Sequence, residues 1–284
     1  MNTKIFALVT GASSGLGNAI TFELAQHNYA VFAGIRNEAD KQQFVSNQNI
    51  IPLLLDVTKP QDIETAQRFI SDETNNSGLA LLINNAGVNY ITAFELADEN
   101  RERQLMEVNF FGAMSLTRKL LPLLHLHIST SNSAAKIINV SSIGGVFGLP
   151  WEAAYHASKF AMIGWSQSLR YELEELNISV CCFIPSGMKT KIFQKSIENS
   201  GSISANNQHK HFSYYKRNLE KMNLTMQKFE KGSATTQQAA KAISALLKKG
   251  KLPTKSFFGS DAKIIRVFNW LGLIGLLKGQ FTTK

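Results

Sequence analysis

The chain opens with a strand that runs into a glycine turn and then a helix, and this feature narrows its fold further than any other. Ile5 to Val9 is a short apolar, strand-forming run. Thr10-Gly11-Ala12-Ser13-Ser14-Gly15-Leu16-Gly17 follows, and helical spacing then carries Ile20, Phe22, Leu24 and Ala25. Glycines in such a turn let the backbone approach a pyrophosphate, while the N–H groups and positive end of the next helix offset its charge. The candidates for that contact are Gly11, Ser13, Ser14, Gly15, Leu16 and Gly17. The spacing is TGxxxGxG rather than GxGxxG, and a tight turn without a ligand is the competing reading.

Further apolar runs alternate with helical segments, the pattern of an α/β protein with a doubly wound parallel sheet and helices on both faces. Ligands of such sheets bind beyond the carboxyl ends of the strands, so the residues that end each run become candidates. Tyr29 to Ile35 ends in Arg36, placed to pair with a ribose 2′-phosphate through charge-assisted hydrogen bonds. NADP(H) is therefore favoured; NAD(H) stays open because Asn37, Glu38 and Asp40 lie just beyond. Ile51 to Leu55 ends in Asp56-Val57, with Asp56 set either to accept from an adenine amino group or to cap a helix over Lys59 to Ile70. Leu79 to Ile83 ends in Asn84-Asn85-Ala86-Gly87, and Asn84, Ala86 and Gly87 are expected to line the cofactor.

Of the six tyrosines only Tyr155 has a lysine four residues on, Lys159. Positions i and i+4 share a helix face, so the ammonium can sit beside the phenol and favour its ionised form, making Tyr155 an acid or base near neutral pH. An ordinary exposed helical pair is the alternative reading. The company of the other motifs decides between them.

Taken in order, Thr10 to Gly17, Asn84 to Gly87, the serine of Ile138-Asn139-Val140-Ser141-Ser142 before a glycine pair, and Tyr155 with Lys159 resemble the short-chain dehydrogenase/reductase family. The resemblance covers roughly residues 5 to 190 and implies a Rossmann-type fold of about seven strands. It implies that Tyr155 is the general acid/base, that Lys159 lowers the tyrosine pKa and holds the nicotinamide ribose, and that Ser142 hydrogen-bonds the substrate oxygen, with Ser141 second choice. Asn109 matches an asparagine that stabilises a helix kink and holds a water in the proton relay. Pro185-Ser186-Gly187-Met188-Lys189-Thr190 resembles the segment that covers the nicotinamide, making Pro185, Gly187 and Thr190 cofactor contacts, although Ser186 stands where the family has glycine. Thr190 serves equally as a cap for a helix over Lys191 to Ile197. Members commonly pair through two long helices, here about Arg101 to His127 and Trp151 to Leu176, so a homodimer or homotetramer is expected.

The rest of the chain fills in this outline. The 284 residues, 44% of them hydrophobic, suit a single domain over 1–284, with a lid segment over 186–232 and an apolar helix over 261–279. The polar stretch Ser129 to Ala134 reads as a surface loop before a strand over Lys136 to Val140. Cys181 and Cys182 are adjacent in a buried-looking run, which supports neither a disulfide framework nor a metal cluster, and His125, His127, His209 and His211 lack ligand partners at useful spacing. A net charge of +9 is spread without interleaved base-stacking aromatics, against nucleic-acid binding. The start offers no long apolar leader, and a cytoplasmic protein is expected. Ile264 to Lys278 is too short and interrupted to span a bilayer; it reads either as a helix over the substrate pocket or as one lying on a membrane surface. With the polar hinge Glu198 to Ser213 and the apolar helix after it, this favours a lipophilic carbonyl or alcohol, steroid-, retinoid- or long-chain-like, including sphingoid or acyl ketones. A non-catalytic dinucleotide-binding redox sensor and an NAD-dependent alcohol dehydrogenase of the same fold are the alternatives.

Overall fold

A computed structural model describes residues 4–188, 210–259 and 262. Seven parallel strands form one sheet in the order β3-β2-β1-β4-β5-β6-β7. The strands are β1 (Ile5–Thr10), β2 (Tyr29–Ile35), β3 (Ile50–Leu54), β4 (Leu81–Asn84), β5 (Ala135–Val140), β6 (Ile178–Pro185) and β7 (Lys255–Phe258). Their runs are apolar at successive positions because both faces are covered, as parallel sheets require. In β1, Ala7 and Val9 belong to one core while Leu8 belongs to the other, and Val31 and Ala33 flank Phe32 in the same way in β2.

Two helices cover the first face: α1 (Gly15–Ala25) and α7 (Thr236–Leu247) bury Ile20, Leu24, Ile243 and Leu247 against it. The opposite face carries α2 (Pro60–Glu73), α4 (Gly112–Ser131) and α5 (Ala153–Leu173), which contribute Ile63, Leu116, Leu120 and Leu169. Local chemistry sets the helix starts. Pro60 stands first in α2, where its missing N–H costs no bond, and Thr235 and Gln238 close a reciprocal capping box on α7. The short α3 (Glu99–Met106) is capped by Asp98, whose carboxylate accepts from the Asn100 and Arg101 N–H groups. A further helix, α6 (Phe212–Gly232), follows the undescribed segment.

Two boundaries differ from the sequence reading. The helix expected over Arg101 to His127 is broken by a π turn over Glu107–Phe111, which separates α3 from α4. Residues 129–131, expected in a loop, continue α4 because Thr130 and Ser131 return their hydroxyls to the carbonyls of Leu126 and His127. Asn132, in the left-handed region at φ 52°, ends the helix.

The sheet order reverses between β1 and β4, and this switch point is tied shut. Thr10 Oγ1 accepts from the N–H groups of Asn85 and Ala86, each at 3.0 Å, and Asn85 Nδ2 donates to the Thr10 carbonyl at 2.9 Å. Gly17 lies under the glycine turn, where an added Cβ would stand 2.3 Å from the Gly11 carbonyl oxygen and 2.4 Å from Asn85 Nδ2. Gly17→Ala should therefore cost about 1–3 kcal/mol, a fall in melting temperature of several degrees. Calorimetry of the variant checks this, and an unchanged melt would show that the turn has room to yield.

Candidate active site

The glycine turn supplies the first half of the site. Gly11 and Gly15 have φ of 65° and 60°, conformations natural to glycine, and a Cβ on Gly11 would meet the Ala86 Cα at 2.9 Å. Ser14 precedes α1 in extended conformation with its side chain making no cap bond, and the first turn holds no acidic residue. The leading N–H groups of α1 thus face outward beside a cradle that any side chain would fill, which fits a pyrophosphate. Ser13 is half-buried and Ser14 exposed at the rim, while Leu16 packs into the core.

The ribose end is set by β2 and β3. Arg36 follows β2 and is exposed. Burial pulls the Asp56 carboxyl up, but hydrogen bonds from the N–H and hydroxyl of Thr58, together with the charges of Arg36 and Lys59, outweigh it and hold the group below its ordinary value. Asp56 is therefore an ionised turn-former before α2 that keeps a cation, Arg36, within electrostatic reach. Val57 is buried in the core, against the space above Gly112.

Asn84 departs from expectation. It is 3% exposed, and its Nδ2 donates to Thr117 Oγ1 and Asn139 Oδ1 inside the protein, so it braces the sheet against α4 rather than lining the cofactor crevice. Asn85, the next residue of the expected Asn84 to Gly87 run, takes the place at the turn, with its Nδ2 on the Thr10 carbonyl. Ala86 stands against Gly11, and a Cβ on Gly87 would lie 3.4 Å from Asn109 Oδ1 and 3.6 Å from Lys159 Nζ, so Gly87 keeps the crevice floor open between those two groups.

The proton-transfer half hangs on α5. Asn109, fully buried in the π turn, accepts from Val88 N–H at 2.8 Å and donates to the Val88 carbonyl and to Ser158 Oγ. Ser158 Oγ in turn donates to the Tyr155 carbonyl at 2.7 Å. Ser141 is consumed by a bond to the Lys159 carbonyl, whereas half-buried Ser142 accepts from Gly144 N–H at 3.1 Å and lies near enough to the Tyr155 phenol to lower its pKa. The geometry thus favours Ser142 over its neighbour. Lys159 Nζ donates to the Val140 carbonyl at 3.2 Å and stands 5.7 Å from the Tyr155 ring centroid.

The polypeptide's own electrostatics run against one expectation. Burial pushes the Tyr155 phenol up to about 12; the neighbouring Ser142 lowers it only in part, and Glu152 adds to the rise. Lys159 does not offset this within the protein alone. Burial lowers its own pKa to about 8. At neutral pH Tyr155 therefore holds its proton.

At the cover segment, Pro185 is buried at the end of β6 and Gly187 is exposed. Ser186 N–H donates to the Phe258 carbonyl at 2.9 Å, and its side chain occupies the space above Gly259, where an added Cβ would meet Ser186 Oγ at 2.1 Å. A glycine on the neighbouring strand end thus makes room for the serine that departs from the family pattern. Thr190, the expected helix over Lys191 to Ile197, and the apolar segment over 261–279, Ala262 apart, lie outside the described residues.

With this geometry in place, similarity to known proteins identifies the lineage. The short chain dehydrogenase family model matches residues 5–201, and the chain belongs to that family. Estradiol 17-beta-dehydrogenase 2 of Mus musculus is 35% identical over 190 residues, 65% of this chain and 48% of that protein. The 3-ketodihydrosphingosine reductase of Bacteroides thetaiotaomicron is 34% identical over 183 residues, 64% of each. The match thus spans about half to just under two thirds of the length of these two relatives. A solved short chain dehydrogenase from Burkholderia cenocepacia, in complex with NADP, has the same fold over the whole of both chains, with a TM-score of 0.74 and 24% identity.

The buried lysine has a measurable consequence. Its pKa falls from the ordinary 10.5 to about 8, so between those values the unfolded chain carries a proton that the folded chain lacks, and the stability contributed by this group rises with pH across that window. Below it the folded state bears the full cost of burying an ammonium. Lys159→Met should melt a few degrees above the parent near pH 7, with the gap closing towards pH 10. A gap independent of pH in scanning calorimetry would contradict the burial argument.

Proposed function

We propose that the protein is an NADP(H)-dependent oxidoreductase that interconverts a carbonyl and an alcohol on a lipophilic substrate. The observation that carries this reading is the buried Tyr155 phenol, protonated at neutral pH, with Ser142 beside it and the Lys159 ammonium 5.7 Å from its ring centroid, one turn along the same helix. A nicotinamide dinucleotide supplies or accepts the hydride at the substrate carbon. Ser142 hydrogen-bonds the carbonyl oxygen, and Tyr155 gives that oxygen its proton as charge develops there. In the oxidative direction the same phenol position takes the proton back. Lys159 binds the nicotinamide ribose, and its charge stabilises the phenolate left after transfer.

For the dinucleotide, the N–H groups of the turn from Gly11 to Gly17 hold the pyrophosphate, Arg36 pairs with the 2′-phosphate, and Ala86, Gly87, Pro185, Gly187 and Thr190 line the remainder. Asp56 and Val57 border the adenine. Arg36 supports NADP(H) over NAD(H), because a cation at this strand end complements a phosphate.

The substrate class rests on the lid and on the relatives. Helix α6 sets Tyr215 edge-on to Trp151 with ring centroids 6.0 Å apart, and the Tyr215 hydroxyl donates to Glu95, so the helix bridges the approach to α5. Two relatives act, by their names, on estradiol and on 3-ketodihydrosphingosine, both lipophilic. Phe111 and Phe160, 44% and 46% exposed on the helical layer, support a homodimer or homotetramer formed through the long helices. No helix among the described residues is long and apolar enough to cross a membrane. A cytoplasmic protein, with peripheral membrane contact through the segment over 261–279, completes the proposal.

Oxidation of NADPH and NADH, followed at 340 nm against ketosteroids, retinal and long-chain ketones, tests the reading. Turnover with NADPH should fall by about 10²–10⁴-fold in Tyr155→Phe. Arg36→Glu should weaken NADPH while sparing NADH. Tight binding without turnover on any carbonyl would favour the redox-sensor reading, and a preference of the parent for NADH would overturn the role given to Arg36.

A further inference from the structure

Glu152 stands immediately before α5, three positions ahead of Tyr155, and is 5% exposed. The segment is fastened from outside the helix: Thr92 N–H donates to the Trp151 carbonyl at 2.9 Å, and Asn89 Nδ2 donates to Glu152 Oε1. A carboxyl group buried this far needs either a cation or a proton of its own.

The surroundings supply no cation among the described residues. Residues 143–150 carry no titratable side chain. In residues 85–92 the one titratable group is Tyr90, and its hydroxyl is turned to the Asp98 carbonyl at 3.5 Å. Tyr215 of α6 reaches Trp151 with its ring but gives its hydroxyl to Glu95. Lys159 lies two turns further along α5, bonded to the Val140 carbonyl. The remaining charge partner in reach is His156, with Nε2 3.8 Å from Glu152 Oε2.

His156 does not serve as that partner. Its Nδ1 lies 2.6 Å from the Gly144 carbonyl, which can only accept, so Nδ1 carries the proton. Its Nε2 receives the Leu149 N–H at 3.1 Å, so Nε2 presents a lone pair. With both ring nitrogens engaged in this way, the imidazole offers Glu152 no N–H. The electrostatics point the same way: burial raises the Glu152 pKa, and the Asn89 bond only partly offsets it.

We propose that Glu152 is held as a neutral carboxylic acid, and that its ionisation opposes proton donation by Tyr155. The second part rests on the reading of Tyr155 as the proton donor. When Tyr155 gives its proton to the substrate oxygen it becomes a phenolate, and an ionised Glu152 would be a second buried anion one turn away. Neutral Glu152 keeps its own proton throughout and removes that repulsion. It is a positioning residue that acts through Tyr155.

Infrared spectra and pH profiles test the two parts separately. At neutral pH the parent should show the carbonyl stretch of a buried protonated carboxyl that is missing from Glu152→Gln. If the two spectra match there, Glu152 is ionised and the proposal fails. In steady-state carbonyl reduction, the ratio of Glu152→Gln to parent kcat should rise several-fold as the pH is raised, while Glu152→Asp, which retains an acid, keeps a falling profile. A ratio constant with pH overturns the coupling to Tyr155. Absence of turnover with every carbonyl would count against the reductase reading, while the infrared band would still decide the state of Glu152. Circular dichroism on each variant shows that the comparison is between folded proteins.

Discussion

The hydrogen bonds that join the end of β1 to the end of β4 hold the site together. Thr10 Oγ1 takes the N–H groups of Asn85 and Ala86, and this fixes the glycine turn against the loop that leaves β4. The same loop continues through Gly87 to Val88, whose backbone is gripped on both sides by Asn109. Asn109 reaches Ser158, and Ser158 reaches the Tyr155 carbonyl. A continuous series of polar contacts therefore links the glycine turn to Tyr155. Each contact satisfies a group that would otherwise be buried without a partner, so loosening one member exposes the next to that penalty.

This arrangement explains the π turn between α3 and α4. An α-helical ladder would commit the 107–111 backbone to regular spacing. The wider turn lets the Asn109 side chain face Val88 and Ser158 together. Gly87 has the complementary role: with no side chain it leaves room between Asn109 Oδ1 and Lys159 Nζ, the two polar groups that flank the crevice floor. Position 87 is thus set by space, and position 109 by hydrogen bonding.

Much of this was legible in the chain, because strands that end in Gly, Asn or Ser announce themselves by contrast with apolar runs. The parallel sheet of seven strands and the approach of Tyr155, Ser142 and Lys159 follow that pattern. Adjacent like residues were harder. Asn84 ends β4 and Asn85 lies one residue beyond it: the strand sends Asn84 inward to Thr117 and Asn139 and leaves Asn85 at the turn. The helical end of α4 was hidden because Ser and Thr are loop formers by composition and extend a helix only when their hydroxyls find the preceding carbonyls. Glu152 carried no signal, since its meaning depends on Asn89, Gly144 and Leu149, residues distant in sequence or unremarkable in type.

The Tyr155–Lys159 spacing announced a pair but not its charge state, because spacing does not reveal burial. Enclosure raises the phenol and lowers the ammonium, so each group is pushed towards its neutral form. A phenol in that state suits donation, and the ion pair formed once it has donated is stronger where water is scarce. The price is a buried lysine whose charge the folded chain accommodates poorly at neutral pH. The Val140 carbonyl, at 3.2 Å, is the one protein acceptor that the described residues offer this ammonium, and a single neutral acceptor offsets only part of the desolvation. The helix α5 is thus strained electrostatically rather than sterically: Asn109, Ser158 and Ser141 fix its backbone, so that Lys159 stays buried beside Tyr155 instead of turning out to solvent.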